Sequence, residues 1–252
     1  MINKFRRFIL IACTIGLFVM GISFADTGQL LPEISLQVGG EQGGLTSTVQ
    51  VILLLTVLSL APSIIILMTC FTRIIIVLSF LRKALSLQST PPNQVLVGLA
   101  LFLTLFVMNP IFTEIYTEAY QPLSDGEINQ TVAFDRAMKP LREFMFKQVR
   151  TEDLALFVQI SGAEPVNAIE EVTNQALIPA FIISELKTSF IMGFLLFIPF
   201  IVIDLVVAST LMSLGMMMLP PVMISLPFKL LLFILVDGWN LLIKYIVAGI
   251  SV

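Results

Sequence analysis

The sequence contains no histidine. That excludes a Ser-His-Asp triad and histidine-bound metal sites. Charge is scarce too: 12% of residues are Asp, Glu, Lys or Arg, about half the usual share of a soluble domain. Cysteine is nearly absent, with only Cys13 and Cys70 in the chain. No basic run points to nucleic acid. No phosphate loop and no paired nucleophile and base can be found. These absences argue against an enzyme and leave no cofactor or metal to expect.

What is present is apolar. Such residues make up 57% of the chain, and they cluster in runs too long for a soluble core. An all-α integral membrane protein is the fold class this predicts. The start reads differently. Lys4, Arg6 and Arg7 precede the apolar stretch "FILIACTIGLFVMGI" (8–22), and "SFA" (23–25) offers small residues at the positions a signal peptidase reads. Residues 1–25 are therefore expected to be a cleaved signal peptide, with the mature chain starting at Asp26. An uncleaved anchor is the alternative. Cleavage leaves eleven basic against seventeen acidic residues, a net charge of −6, and only Cys70, so no intramolecular disulfide.

Residues 26–48 are expected to be a flexible exported arm. Apolar runs follow at 49–81 (interrupted by Pro62 and Arg73), 95–112, 189–214 (broken at Pro199) and 222–250. Each can supply the ~20 residues of a spanning helix. Pro91-Pro92 and Pro220-Pro221 are firm helix stops, since proline gives no amide donor and restricts its predecessor. The runs thus form two helical hairpins, 49–112 and 189–252, each folded at a Pro-Pro turn. Arg82 and Lys83 put the turns on the inner side.

Between the hairpins, residues 113–188 hold 12 acidic and 6 basic residues. They read as a helical insert on the exported side. "DRAMKPLREFMFKQV" (135–149) puts Met138, Leu141, Met145 and Val149 on one stripe despite Pro140. Thr151 is placed to cap a further helix, and 168–177 is expected to be another.

Arg73, Asp204, Lys229, Asp237 and Lys244 lie within or beside apolar runs, where a charge costs roughly 2.5–3.5 kcal/mol. Asp204 lies 16 residues before Pro220 and Asp237 16 after Pro221, each about 24 Å from the apex at helical rise. Arg73 lies 18 before Pro91, about 27 Å from its own apex. If the apices are level, Arg73, Asp204 and Asp237 share one intramembrane charge layer. Arg73 is then expected to pair with Asp204 or Asp237, in the same or an adjacent subunit. Snorkelling charges or a polar cavity are the plainer reading. An ion-coupled transporter using Asp204 and Asp237 is the functional alternative.

Five stretches carry a resemblance: "FTRIIIVLSFLRKAL" (71–85), "TPPNQVLVGLALFLT" (90–104), "SELKTSF" (184–190), "FIPFIVIDLVVAS" (197–209) and "GMMMLPPVMISLPFKLLLFILVDGW" (215–239). Together they resemble the FliP family of flagellar type III secretion export-gate proteins, over about residues 50–250. The resemblance implies a pore-forming subunit at the flagellar basal body in the bacterial inner membrane, with its insert periplasmic. It implies a homopentamer with FliQ and FliR, FlhB and FlhA nearby, and unfolded flagellar proteins as cargo. It also makes Glu185 and Lys187 candidates for intersubunit pairs. Met216, Met217 and Met218 become a gasket, because unbranched, flexible thioethers suit a surface that must mould to varied chains. The competing reading is that they fill gaps beside a sharp turn.

Overall fold

A computed structural model describes residues 63–162, 172–216 and 218–250, with Ile52, Leu55, Thr56, Ser59 and Leu60. The expected signal peptide, the arm 26–48 and most of 49–62 lie outside the described residues. The chain divides into units 1–53 and 54–252; the account below concerns the second.

The described residues are helical, with no strand among them. Helix α1 spans Phe71–Ala84 and is the centre of the fold. Arg73, Ile74, Val77, Leu78, Leu81 and Ala84 are buried, and only Lys83 is exposed along its length. Three successive isoleucines are poor helix formers; burial on nearly all sides overrides that preference. Arg82 and Lys83 in the last turn suit the negative end of the helix dipole. After Pro92, α2 runs Asn93–Val107 and buries Leu96, Ala100, Thr104 and Val107, one residue per turn. Arg82 Nη1 donates to Pro91 O at 3.1 Å and to Asn93 Oδ1 at 2.7 Å, closing the α1–α2 turn.

A 60° bend leads from α2 into α3 (Asn109–Ile115), a π turn (Tyr116–Tyr120) and α4 (Gln121–Ser124). Helix α5 (Gln130–Gln148) starts at Asn129, whose Oδ1 accepts the Val132 N–H at 2.9 Å. Pro140 sits inside α5, where Met145 is buried and Met138, Leu141 and Val149 pack on the core, so the expected stripe faces inward. In α6 (Thr151–Ile160) Thr151 is the first helical residue, not the cap. Arg150 holds the cap position, and its N–H donates to Ser184 Oγ at 3.0 Å.

Helix α7 runs unbroken from Asn174 to Ser213. The expected helix 168–177 survives only as its opening, and 168–171 lie outside the described residues. Pro199 does not break α7 as expected. A proline removes one backbone hydrogen bond, and the packing on both sides of it holds the rod together. The helix also runs straight through residue 188, where the sequence suggested a boundary. Residue pairs climb together along α1 and α7. Arg73 meets Glu185, and the Phe80 ring stands edge-on to Phe190 at 5.6 Å and to Phe197 at 5.9 Å. The two helices therefore run parallel. Gly193 admits this approach: a Cβ there would sit 2.5 Å from the Phe80 ring.

Helix α8 (Pro221–Leu235) returns beside α7, and a 67° bend at Asp237 leads into α9 (Gly238–Ala248). Asp237 is left-handed, with φ 49°. By length and composition α7 can cross a membrane alone; α2 with α3–α4, and α8 with α9, qualify as bent pairs. Their outer faces expose Phe102, Phe106, Leu205, Ile234 and Leu235, a display that monomeric soluble proteins rarely make.

Candidate functional site

The candidate site starts where α7 stops. Gly215 N–H donates to Met212 O at 3.1 Å and Met216 N–H to Leu211 O at 3.0 Å, with Gly215 at φ 72°. This is a Schellman ending, and the left-handed residue favours glycine. The chain then passes Met216 and Met218 to Pro220 and enters α8 at Pro221. Met218 is 99% exposed and Met216 45%. Met217 lies outside the described residues. Leu214, Leu219, Val222 and Met223 are exposed around them. The tip of this turn is therefore an apolar surface that no other described residue covers.

The embedded charges form two clusters. Arg73 and Glu185 are 2% and 1% exposed. Arg73 Nε donates to Glu185 Oε2 at 2.9 Å, Nη2 donates to Glu185 Oε1 and to Gln148 Oε1, and Nη1 donates to Gly249 O. One guanidinium thus joins α1, α5, α7 and the end of α9. In the second cluster, Asp204 Oδ2 accepts from Lys229 Nζ at 2.7 Å and Oδ1 from Ser225 Oγ at 2.6 Å. Lys229 Nζ also donates to Ser86 Oγ at 2.8 Å and Ala84 O at 3.2 Å.

The expected grouping of Arg73, Asp204 and Asp237 in one layer is replaced by these clusters. Within the chain Arg73 takes Glu185, not Asp204 or Asp237. The cause is the stagger of the helices. Arg73 meets Glu185 and Phe80 meets Gly193, so α1 ends at Ala84 well before α7 ends at Ser213, and the apices are not level. Asp237 is exposed at the α8–α9 bend. Glu185, a candidate for an intersubunit pair, is instead buried against Arg73 in its own chain. Lys187 is exposed on the outer face of α7 among Ile183, Phe190 and Phe194.

Sequence reasoning named Lys229 as an embedded charge but missed its partner, along with Gln148, Ser225 and Ser86. A signal existed. Asp204 lies nine residues before Ser213, where α7 ends, and Lys229 lies eight after Pro221, where α8 begins. Both distances are ~12–14 Å at helical rise. Ending the first helix before Gly215 would have set the two charges level.

Comparison with known proteins gives a consistent result. The FliP family model matches residues 54–246. The flagellar biosynthetic protein FliP of Bacillus subtilis (strain 168) is 59% identical over 199 residues, covering 79% of this chain and 90% of the relative. That of Pectobacterium carotovorum subsp. carotovorum is 56% identical over 198 residues, covering 79% and 77%. That of Treponema pallidum (strain Nichols) is 49% identical over 229 residues, covering 89% and 84%.

Proposed function

The chain belongs to the FliP family, and on that footing we propose that it is a pore-forming subunit of the flagellar type III export gate. In this reading it passes unfolded flagellar proteins across the bacterial inner membrane and is needed to build the flagellum. Copies of the chain assemble as a pentamer with FliQ and FliR, with FlhB and FlhA close by. The chain is a multi-pass membrane protein of the basal body, and its insert 113–188 lies on the periplasmic side.

The observation that carries this reading is the turn after α7. Met218 is almost wholly exposed and Met216 nearly half so. A gap-filling methionine would be packed inside its own chain. Several copies of a bare thioether turn can close a ring that yields to passing side chains and shuts behind them. The exposed apolar faces of α2, α7 and α8 add support, because lipid or neighbouring subunits would cover them.

The ion-coupled alternative needs Asp204 and Asp237 in one site. Asp204 is engaged by Lys229 and Ser225, while Asp237 stands at the α8–α9 bend. The deciding experiment measures conductance and assembly of the purified complex when Met216, Met217 and Met218 are all alanine. An intact complex that leaks ions supports the pore; an intact complex with unchanged conductance refutes it.

A further inference from the structure

Helices α1 and α7 end in the same way. At the end of α1, Ser86 N–H donates to Lys83 O at 2.9 Å and Leu87 N–H to Arg82 O at 3.1 Å. This is the Schellman pattern again, with Ser86 in the left-handed position at φ 58°. The end of α7 uses Gly215 there, as a left-handed residue normally requires. A serine at that position carries a Cβ that disfavours the conformation. A contact from outside α1 would offset that cost.

Lys229 is in place to do so. Its ammonium has three donors, and they meet three oxygens: Asp204 Oδ2, Ser86 Oγ and Ala84 O. Two of these belong to the end of α1. There the last carbonyls lack helical partners and carry the negative end of the dipole. Lys229 is also 2% exposed, whereas its acidic partner is 35% exposed. The lysine is therefore more deeply set than an ion pair alone would ask, and it faces α1.

We infer that Lys229 is a positioning residue that caps the C-terminus of α1 from α8, holding Ser86 left-handed and fastening the α1–α2 turn to the α7–α8 pair. Asp204 steadies the ammonium from α7. The cap is a property of the folded chain and stands whether or not the chain lines a pore.

Substitutions at Ser86 separate this from a simple backbone preference. Glycine suits the left-handed position but offers Lys229 no oxygen. Asparagine tolerates it and returns an acceptor. Hydrogen exchange at the Leu85 and Leu87 amides of the full-length protein in detergent gives the readout, since both residues are unchanged in every variant. Ser86→Asn should keep native protection, and Ser86→Gly should speed exchange roughly tenfold, the loss expected for one charge-assisted hydrogen bond. Glycine protecting as well as asparagine would overturn the inference. A second arm exchanges the pair, Asp204→Lys with Lys229→Asp. The ion pair is kept, but a carboxylate now faces Ala84 O. Protection at Leu87 should stay lost; its return would show that the pair alone matters and would also overturn the inference.

Discussion

Arg73 and Glu185, 112 residues apart in sequence, form a two-pronged ion pair that solvent does not reach. Removing one partner strands a buried charge, at a cost of about 3–5 kcal/mol. Removing both avoids that penalty. Arg73→Met alone should lower the thermal midpoint in detergent sharply, while Arg73→Met with Glu185→Leu should recover much of the loss. If the double variant is less stable than either single one, the pair does not fasten α1 to α7.

Gly193 lets α7 lie against the Phe80 ring. Gly193→Ala should destabilise by about 1–3 kcal/mol through overpacking. Phe80→Leu in the same chain should relieve part of that strain, although it gives up the edge-on contacts with Phe190 and Phe197. Additive losses, measured by unfolding in detergent, would show that ring and glycine do not meet.

The methionine turn separates two kinds of defect. Because Met218 touches little of its own chain and Met216 is nearly half exposed, changing Met216, Met217 and Met218 to alanine should not hinder assembly. Ions should then leak through the resting complex. Leucine at the same positions should hold the barrier but slow export, since branched side chains adapt less readily. A gap-filling role predicts the reverse, with assembly failing first. Assembly yield and conductance on the same preparation give the answer.

Processing at the start of the chain is expected after Ala25. N-terminal sequencing of the membrane-extracted protein should begin at Asp26. A protein that retains Met1 would carry an additional apolar anchor.

The double prolines marked where helices begin, and α2 and α8 do start beside them. They did not mark where the preceding helices end. That information sits in the left-handed residues Ser86 and Gly215, and only the glycine is conspicuous in a sequence. Counting turn residues as helix displaced the charges by several ångströms and hid the Asp204–Lys229 pair. Pro199 misled in the opposite direction, because proline removes one hydrogen bond, and α7 continues past it with Phe197 and Phe200 packed on the core. The Arg73 cluster could not be read from spacing at all. Its members come from four elements, and one acceptor is the backbone oxygen of Gly249. The bend at Asp237 was equally hidden, since nothing about an aspartate announces positive φ.

Helix α7 is fastened to α1 at three levels: at Glu185, at the Phe80 ring beside Gly193 and Phe197, and, through Lys229, at Asp204. In mechanical terms it is a beam with an overhang. Beyond Asp204 the overhang is nine residues, about 14 Å; without that support it would start at Phe197, sixteen residues or about 24 Å from Ser213. The deflection of such a beam under a given force grows as the cube of its overhang, so the tip would soften about sixfold on this helical geometry. Met216 and Met218 ride on that tip, and the buried Lys229 ammonium helps to set how stiffly they are presented.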